Sequence, residues 1–127
     1  MALKKPWVDY EQASAGRLPG ALGVYEIGDS DGNVLYVGFA GGKSRFGLRG
    51  EIIARFAAVP PNGMVVGQAR KFRYEVNMMY MTRFVELLEK HQESTGVLPS
   101  ANRLPGEYLP TSVQRRRYRH NGQQQGA

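Results

Sequence analysis

Tyr25 closes the triplet Gly23-Val24-Tyr25 and Tyr36 opens the triplet Tyr36-Val37-Gly38. Between them runs Gly28-Asp-Ser-Asp-Gly-Asn33, a Gly/Asp-rich turn flanked by β-prone residues, so the spacing predicts a β-hairpin whose adjacent strands can aim both phenols to one side. A phenol packs through its ring and hydrogen-bonds through its tip. With a pKa near 10 it is a poor base at neutral pH unless a cation lowers it. Cations follow at Lys43, Arg45 and Arg49, and carboxylates at Glu86 and Glu89, although Glu86 with Lys90 also reads as an ordinary i,i+4 surface pair. There is no cysteine, which removes thiolate metal sites and thiol nucleophiles, and His91 and His120 are too scattered to form a metal constellation. The chemistry available is that of oxygen ligands, hydroxyls and guanidinium groups.

The elements that must position these groups follow from periodicity. After the hairpin, Gly41, Gly42 and Gly47 break the chain before a helix starting near Leu48, with Ile52, Ile53, Phe56 and Ala57 as its apolar stripe and Pro60 and Pro61 as its stop. Phe72, Tyr74, Val76 and Met78 alternate with polar residues, the period of a third, half-buried strand. From Met79 to about Gln92 the period lengthens to a second helix closed by Gly96, with Met81, Val85 and Leu88 on one face and Phe84, Leu87 and His91 beside them. Met78, Met79 and Met81 read as gap-filling core. The predicted fold is α/β, of the α+β kind: a small three-stranded antiparallel sheet flanked by helices in the order β-β-α-β-α. Residues 1–22 form a lead-in with one short turn of helix, pinned to the core by Trp7 and Tyr10. Residues 23–109 form the domain proper, and 110–127 a basic tail whose last dozen residues are expected to be disordered.

Composition narrows the partners. Seventeen Lys plus Arg against eleven Asp plus Glu give a net charge of +6, a balance that favours polyanions. Arg115, Arg116 and Arg117 add a cationic run near the end of the chain. No apolar stretch is long enough for a signal peptide or a membrane span, and with no cysteine the expectation is a soluble, cytoplasmic protein without a membrane partner. Gly41-Gly-Lys-Ser44 imitates the end of a phosphate-binding loop, but the full pattern needs four residues between its outer glycines and a parallel βα setting, and neither is present.

The two tyrosine triplets, followed by a helix with arginine, a strand and a helix with glutamate, resemble the GIY-YIG nuclease superfamily, with Ile replaced by Val in each triplet. The resemblance runs from about Gly23 to Asn102. That superfamily includes the cutting domain of bacterial nucleotide-excision repair and phage homing endonucleases, and its fold has the element order read above. The resemblance implies a metal-dependent, structure-selective DNA endonuclease, with DNA a more natural partner than RNA, and the alternative of a non-catalytic nucleic-acid-binding module that retains the fold.

It also implies roles for residues. Tyr25 would act as general base on water and Tyr36 would orient the water or phosphate. The superfamily places an arginine in the first helix, three residues after an apolar position; Phe46-Gly-Leu-Arg49 fits, while Arg45 is nearer the usual distance from the second tyrosine. Ile53 stands where a tyrosine or histidine often assists. The metal ligand is one glutamate on the later helix. Counting from the third strand selects Glu86, and counting back from Pro99 selects Glu89. Mg²⁺ or Mn²⁺ would suit a single carboxylate, since hard ions keep several waters. Asn102 would position the site. Apart from the resemblance, positive charge alone makes Lys43, Arg45 and Arg115 to Arg117 the expected phosphate contacts.

Overall fold

The computed structural model describes residues 3–11, 16–57 and 68–114. Within them β1 (Val8–Asp9), β2 (Gly23–Gly28), β3 (Val34–Ala40), α1 (Gly47–Ala57), β4 (Lys71–Val76) and α2 (Tyr80–Thr95) precede a 3-10 turn at Ser100–Arg103. The hairpin forms where its turn chemistry dictates. Asp29 Oδ1 accepts the backbone N–H groups of Asp31 and Asn33, each at 2.9 Å, and Gly32 takes the left-handed φ of 83° that closes the turn. The sheet is antiparallel with strand order β1-β4-β2-β3. It has four strands rather than the expected three, because Val8–Asp9 of the lead-in pairs with Phe72 and Lys71 where a helical turn was expected.

Alternation sorts the side chains onto two faces. Tyr25, Ile27, Tyr36 and Phe72 pack beneath α1, whose Leu48 and Ile52 are buried against them. Val24 and Val37 face α2, which buries Phe84, Leu87 and Leu88. Gly96 ends α2 in the left-handed conformation expected of it. The lead-in is tied down by its aromatics. Tyr10 stacks on Phe56 with centroids 3.7 Å apart, and Trp7 lies under the Arg73 guanidinium at 4.1 Å.

Several expectations are corrected. β4 stops at Val76, and the methionines after it turn outward: Met78 and Met79 are 79% and 66% exposed, so they are not core. The inward stripe of α2 is Phe84, Leu87 and Leu88, with Met81 exposed. Residues 111–114 make a helical turn and Val113 is fully buried, so packing runs past the boundary drawn at 109. Pro60, Pro61 and the tail 115–127 lie outside the described residues. No helix among the described residues is long and apolar enough to cross a membrane.

Candidate active site

Tyr25 pairs across the hairpin with Gly38, and the end of its ring occupies the space over that glycine, where any Cβ would collide with it. The glycine of the first triplet is excluded from substitution in the same way, since a Cβ on Gly23 would meet the Glu75 carbonyl oxygen. Tyr36 stands two residues before Gly38 and therefore on the same face. The two rings approach to 6.0 Å between centroids at a tilt of 45°. Gly38 thus lets one phenol reach across a strand towards the other, while Gly23 lets β2 lie close against the backbone of β4.

Arg55, in the last turn of α1, joins the pair. Its Nε donates to the Tyr25 hydroxyl at 3.3 Å and its guanidinium carbon sits 4.3 Å from the Tyr36 ring centroid. Its Nη1 donates to Glu107 Oε1 at 2.9 Å, while the Tyr36 hydroxyl donates to Glu107 Oε2, also at 2.9 Å. Glu107 arrives on the irregular segment after the 3-10 turn, just beyond Gly106 at φ 87°. The cluster opens on a cleft of about 230 Å³ bounded by Tyr36, Ser44, Glu51, Arg55, Glu107 and Tyr108.

Burial sets the proton chemistry. It pushes both phenols well above their ordinary value, and the nearby Arg55 only partly offsets this. In this arrangement Tyr25 and Tyr36 are hydrogen-bonding hydroxyls rather than bases. Glu51 also rises, through burial first and the like charge of Glu107 as well, against the pull of Arg55.

The residues singled out by sequence divide. Tyr25 and Tyr36 come together. Arg49 does not join them: it lies about 120° round the helix from Arg55, and its Nη2 points to the neighbourhood of Gly20. Arg45 is exposed and covers the Phe46 ring at 5.8 Å, and Lys43 is exposed on the same turn. Ile53 packs against the core. Glu86 is on the other side of the sheet, where Arg83 Nη1 donates to it at 2.7 Å and also ties it to Glu75, which shares the face of Val24. Glu89 follows one turn later on the same helix. Asn102 is buried and serves the edge strand: its Oδ1 accepts the Val37 N–H at 2.8 Å and its Nδ2 donates to the Val37 carbonyl at 2.9 Å. It thereby pairs backbone groups that an edge strand would otherwise leave open, next to Tyr36. Arg115, Arg116 and Arg117 lie outside the described residues.

Arg55, Glu51 and Glu107 are the groups that sequence reasoning missed. Arg55 had a signal, since Ile52-Ile-Ala-Arg55 repeats the apolar-to-arginine spacing six residues further along the helix. Glu107 had none, because it sits in a segment without periodicity.

Among the described residues no group of three or more His, Asp or Glu could hold a metal ion. A hard ion with one carboxylate, waters and phosphate oxygens requires no such group. The donor set of the cleft fits that case through Glu51, whose carboxylate lines it.

Fold and cluster together define a small α+β domain with an Arg–Tyr–Tyr cleft at the edge of an antiparallel sheet. Residues 1–94 match the family described as Domain of unknown function (DUF7508), and the chain belongs to that family. The match spans the tyrosine strands and Arg55, and leaves Asn102 and Glu107 beyond its end. No curated protein matches the chain.

Proposed function

We propose that this domain binds the phosphodiester backbone of nucleic acid, DNA in preference to RNA, in the Arg55 cleft and hydrolyses it with a divalent metal, as a GIY-YIG-like endonuclease whose metal carboxylate stands on the first helix. The observation that carries this reading is that Tyr36 and Arg55, the latter braced by Tyr25, form a seat already holding an anion, the Glu107 carboxylate. A phosphodiester presents a comparable pair of oxygens, and a guanidinium fork grips either group.

With substrate in place of Glu107, Arg55 would hold one non-bridging oxygen and the Tyr36 hydroxyl the other. Both donors stand fixed before charge builds on the phosphate, which is the condition for stabilising a transition state. Tyr25, bonded to Arg55 Nε, keeps the guanidinium plane in position rather than taking a proton. Glu51 is the carboxylate that would hold Mg²⁺ or Mn²⁺, and the bound ion supplies Lewis-acid help and an acidified water. A cytoplasmic setting agrees with the absence of cysteine.

A second reading, a binding module without cutting activity, is favoured by the upward-shifted phenols and by Ile53 at the assisting position. One experiment separates the two. Purified protein, Arg55→Ala and Arg49→Ala are incubated with supercoiled plasmid and branched DNA, with Mg²⁺ or Mn²⁺ and with chelator. Arg55→Ala is expected to lose roughly a hundredfold or more in cleavage rate, the usual effect of removing a preorganised donor, and Arg49→Ala to retain it. Binding without cleavage in any divalent metal would select the binding module, and no binding at all would end both readings.

A further inference from the structure

We infer that Phe46 is a stacking platform for an unpaired nucleobase beside the Arg55 cleft, so that the domain favours single-stranded or splayed nucleic acid over intact duplex. The inference rests on the nucleic-acid reading above and adds to it the kind of strand recognised.

Phe46 is costly where it stands. The residue is 63% exposed, and it is the one non-glycine residue with positive φ among those described, at 63°. Glycine would remove both the strain and the exposed apolar surface. The strained backbone is nonetheless held firmly. The Phe46 carbonyl accepts the Gly50 N–H at 3.3 Å, and Leu48 N–H donates to the Ala21 carbonyl at 2.9 Å. Gly47 between them, itself at φ 57°, is wedged against the backbone of Gly20 and Ala21 with no room for a Cβ. Strain that the surroundings enforce is characteristic of functional positions.

The neighbours say what the ring is for. Arg45 covers one side of it at 5.8 Å, Lys43 is exposed on the same turn, and Ser44 between them lines the cleft that holds Arg55. An exposed aromatic ring among cations is the combination that binds single strands: the ring takes a base face and the cations take the backbone. A base inside a duplex is already stacked on both sides and cannot offer its face without being extruded. The platform therefore discriminates by pairing state rather than by sequence, since every base has a face to stack.

The test measures fluorescence anisotropy in chelator, so that nothing is cut, with full-length wild type, Phe46→Gly, Phe46→Trp and Arg55→Ala. The probes are a single-stranded oligodeoxynucleotide, the same strand carrying abasic sites, and its duplex. Phe46→Gly is expected to weaken single-strand binding about five- to a hundredfold, to leave duplex and abasic binding unchanged, and to hold or raise the thermal midpoint. Phe46→Trp should retain affinity, with its fluorescence quenched by the intact strand and not by the abasic one. Equal affinities of wild type and Phe46→Gly, or equal losses on intact and abasic strands, would overturn the platform. A lowered midpoint in Phe46→Gly would do so too, by making Phe46 a packing residue. Wild type that binds none of the probes overturns the platform together with the nucleic-acid reading. Binding that depends on Phe46 and not on Arg55 keeps the platform and removes the cleft.

Discussion

Glu107 gives the cleft its present charge balance at the scale of single residues. Its carboxylate takes the Arg55 Nη1 and the Tyr36 hydroxyl, the donors a phosphate would need. In the proposed function it is therefore an internal competitor. Replacing it with glutamine preserves the shape and removes the charge, so a nucleic-acid phosphate no longer has to displace an ion pair. Glu107→Gln is expected to bind oligonucleotide about tenfold more tightly, equivalent to about 1.4 kcal/mol, as read by anisotropy. The same change should cost about 1.5–3 kcal/mol of folding stability in urea, because the ion pair with the partly buried Arg55 and the charge-assisted bond from Tyr36 both lose their charged acceptor. Weaker binding in Glu107→Gln would make Glu107 a participant in substrate or metal binding instead. None of this was readable from sequence, since Glu107 and Arg55 are brought together only by the tertiary path of the segment after Asn102. What was readable was the tyrosine pair, because its placement depends on a short turn and on strand alternation.

The elements that carry the site are supported from the far side of the sheet, where Glu26 of β2 is 4% exposed and takes the Arg73 Nε of β4 at 2.7 Å. Burial raises the Glu26 carboxyl above its usual range, and the pull of Arg73 only partly offsets it. The sign of the linkage follows. Between the unfolded value and the higher folded value the native state holds more protons than the unfolded chain, so stability falls as pH rises through that window. Glu26→Gln has no such proton and should lose this slope, which for one group is at most about 1.4 kcal/mol per pH unit. Urea midpoints of the wild type and Glu26→Gln, taken from about pH 4 to about pH 7, should differ by an amount that shifts in favour of Glu26→Gln as pH rises. A difference independent of pH would mean that Glu26 titrates in the folded protein at its unfolded value, the pull of Arg73 fully offsetting its burial. Element order was legible because the hairpin, both helices and β4 have clear periods. β1 was not: a two-residue edge strand leaves no pattern, and Val8–Asp9 is defined only by the partner it meets. The outward methionines were misread because periodicity continues past Val76 while the sheet does not.

For the whole molecule the net charge of +6 is the property that would act at a distance, and part of it lies beyond the last buried residue described, Val113. Residues 115–127 contain Arg115, Arg116, Arg117 and Arg119 and no acid. If the proposed function holds, binding to duplex DNA releases counterions, and log K falls with log salt by roughly 0.9 for each phosphate neutralised. Ending the chain after Gln114 removes those four arginines and keeps Val113 in its place, so two readouts should separate. The thermal midpoint should stay where it is. The salt slope should become shallower by roughly 0.9 for each of the removed arginines that touches a phosphate, while the Arg55 dependence of binding persists. A slope unchanged by the truncation would mean that the terminal arginines touch no phosphate, and would leave the contact to cations of the folded body such as Arg55, Lys43 and Arg45. A fallen midpoint would show that the packed body extends past Val113 and that the terminal arginines are part of it.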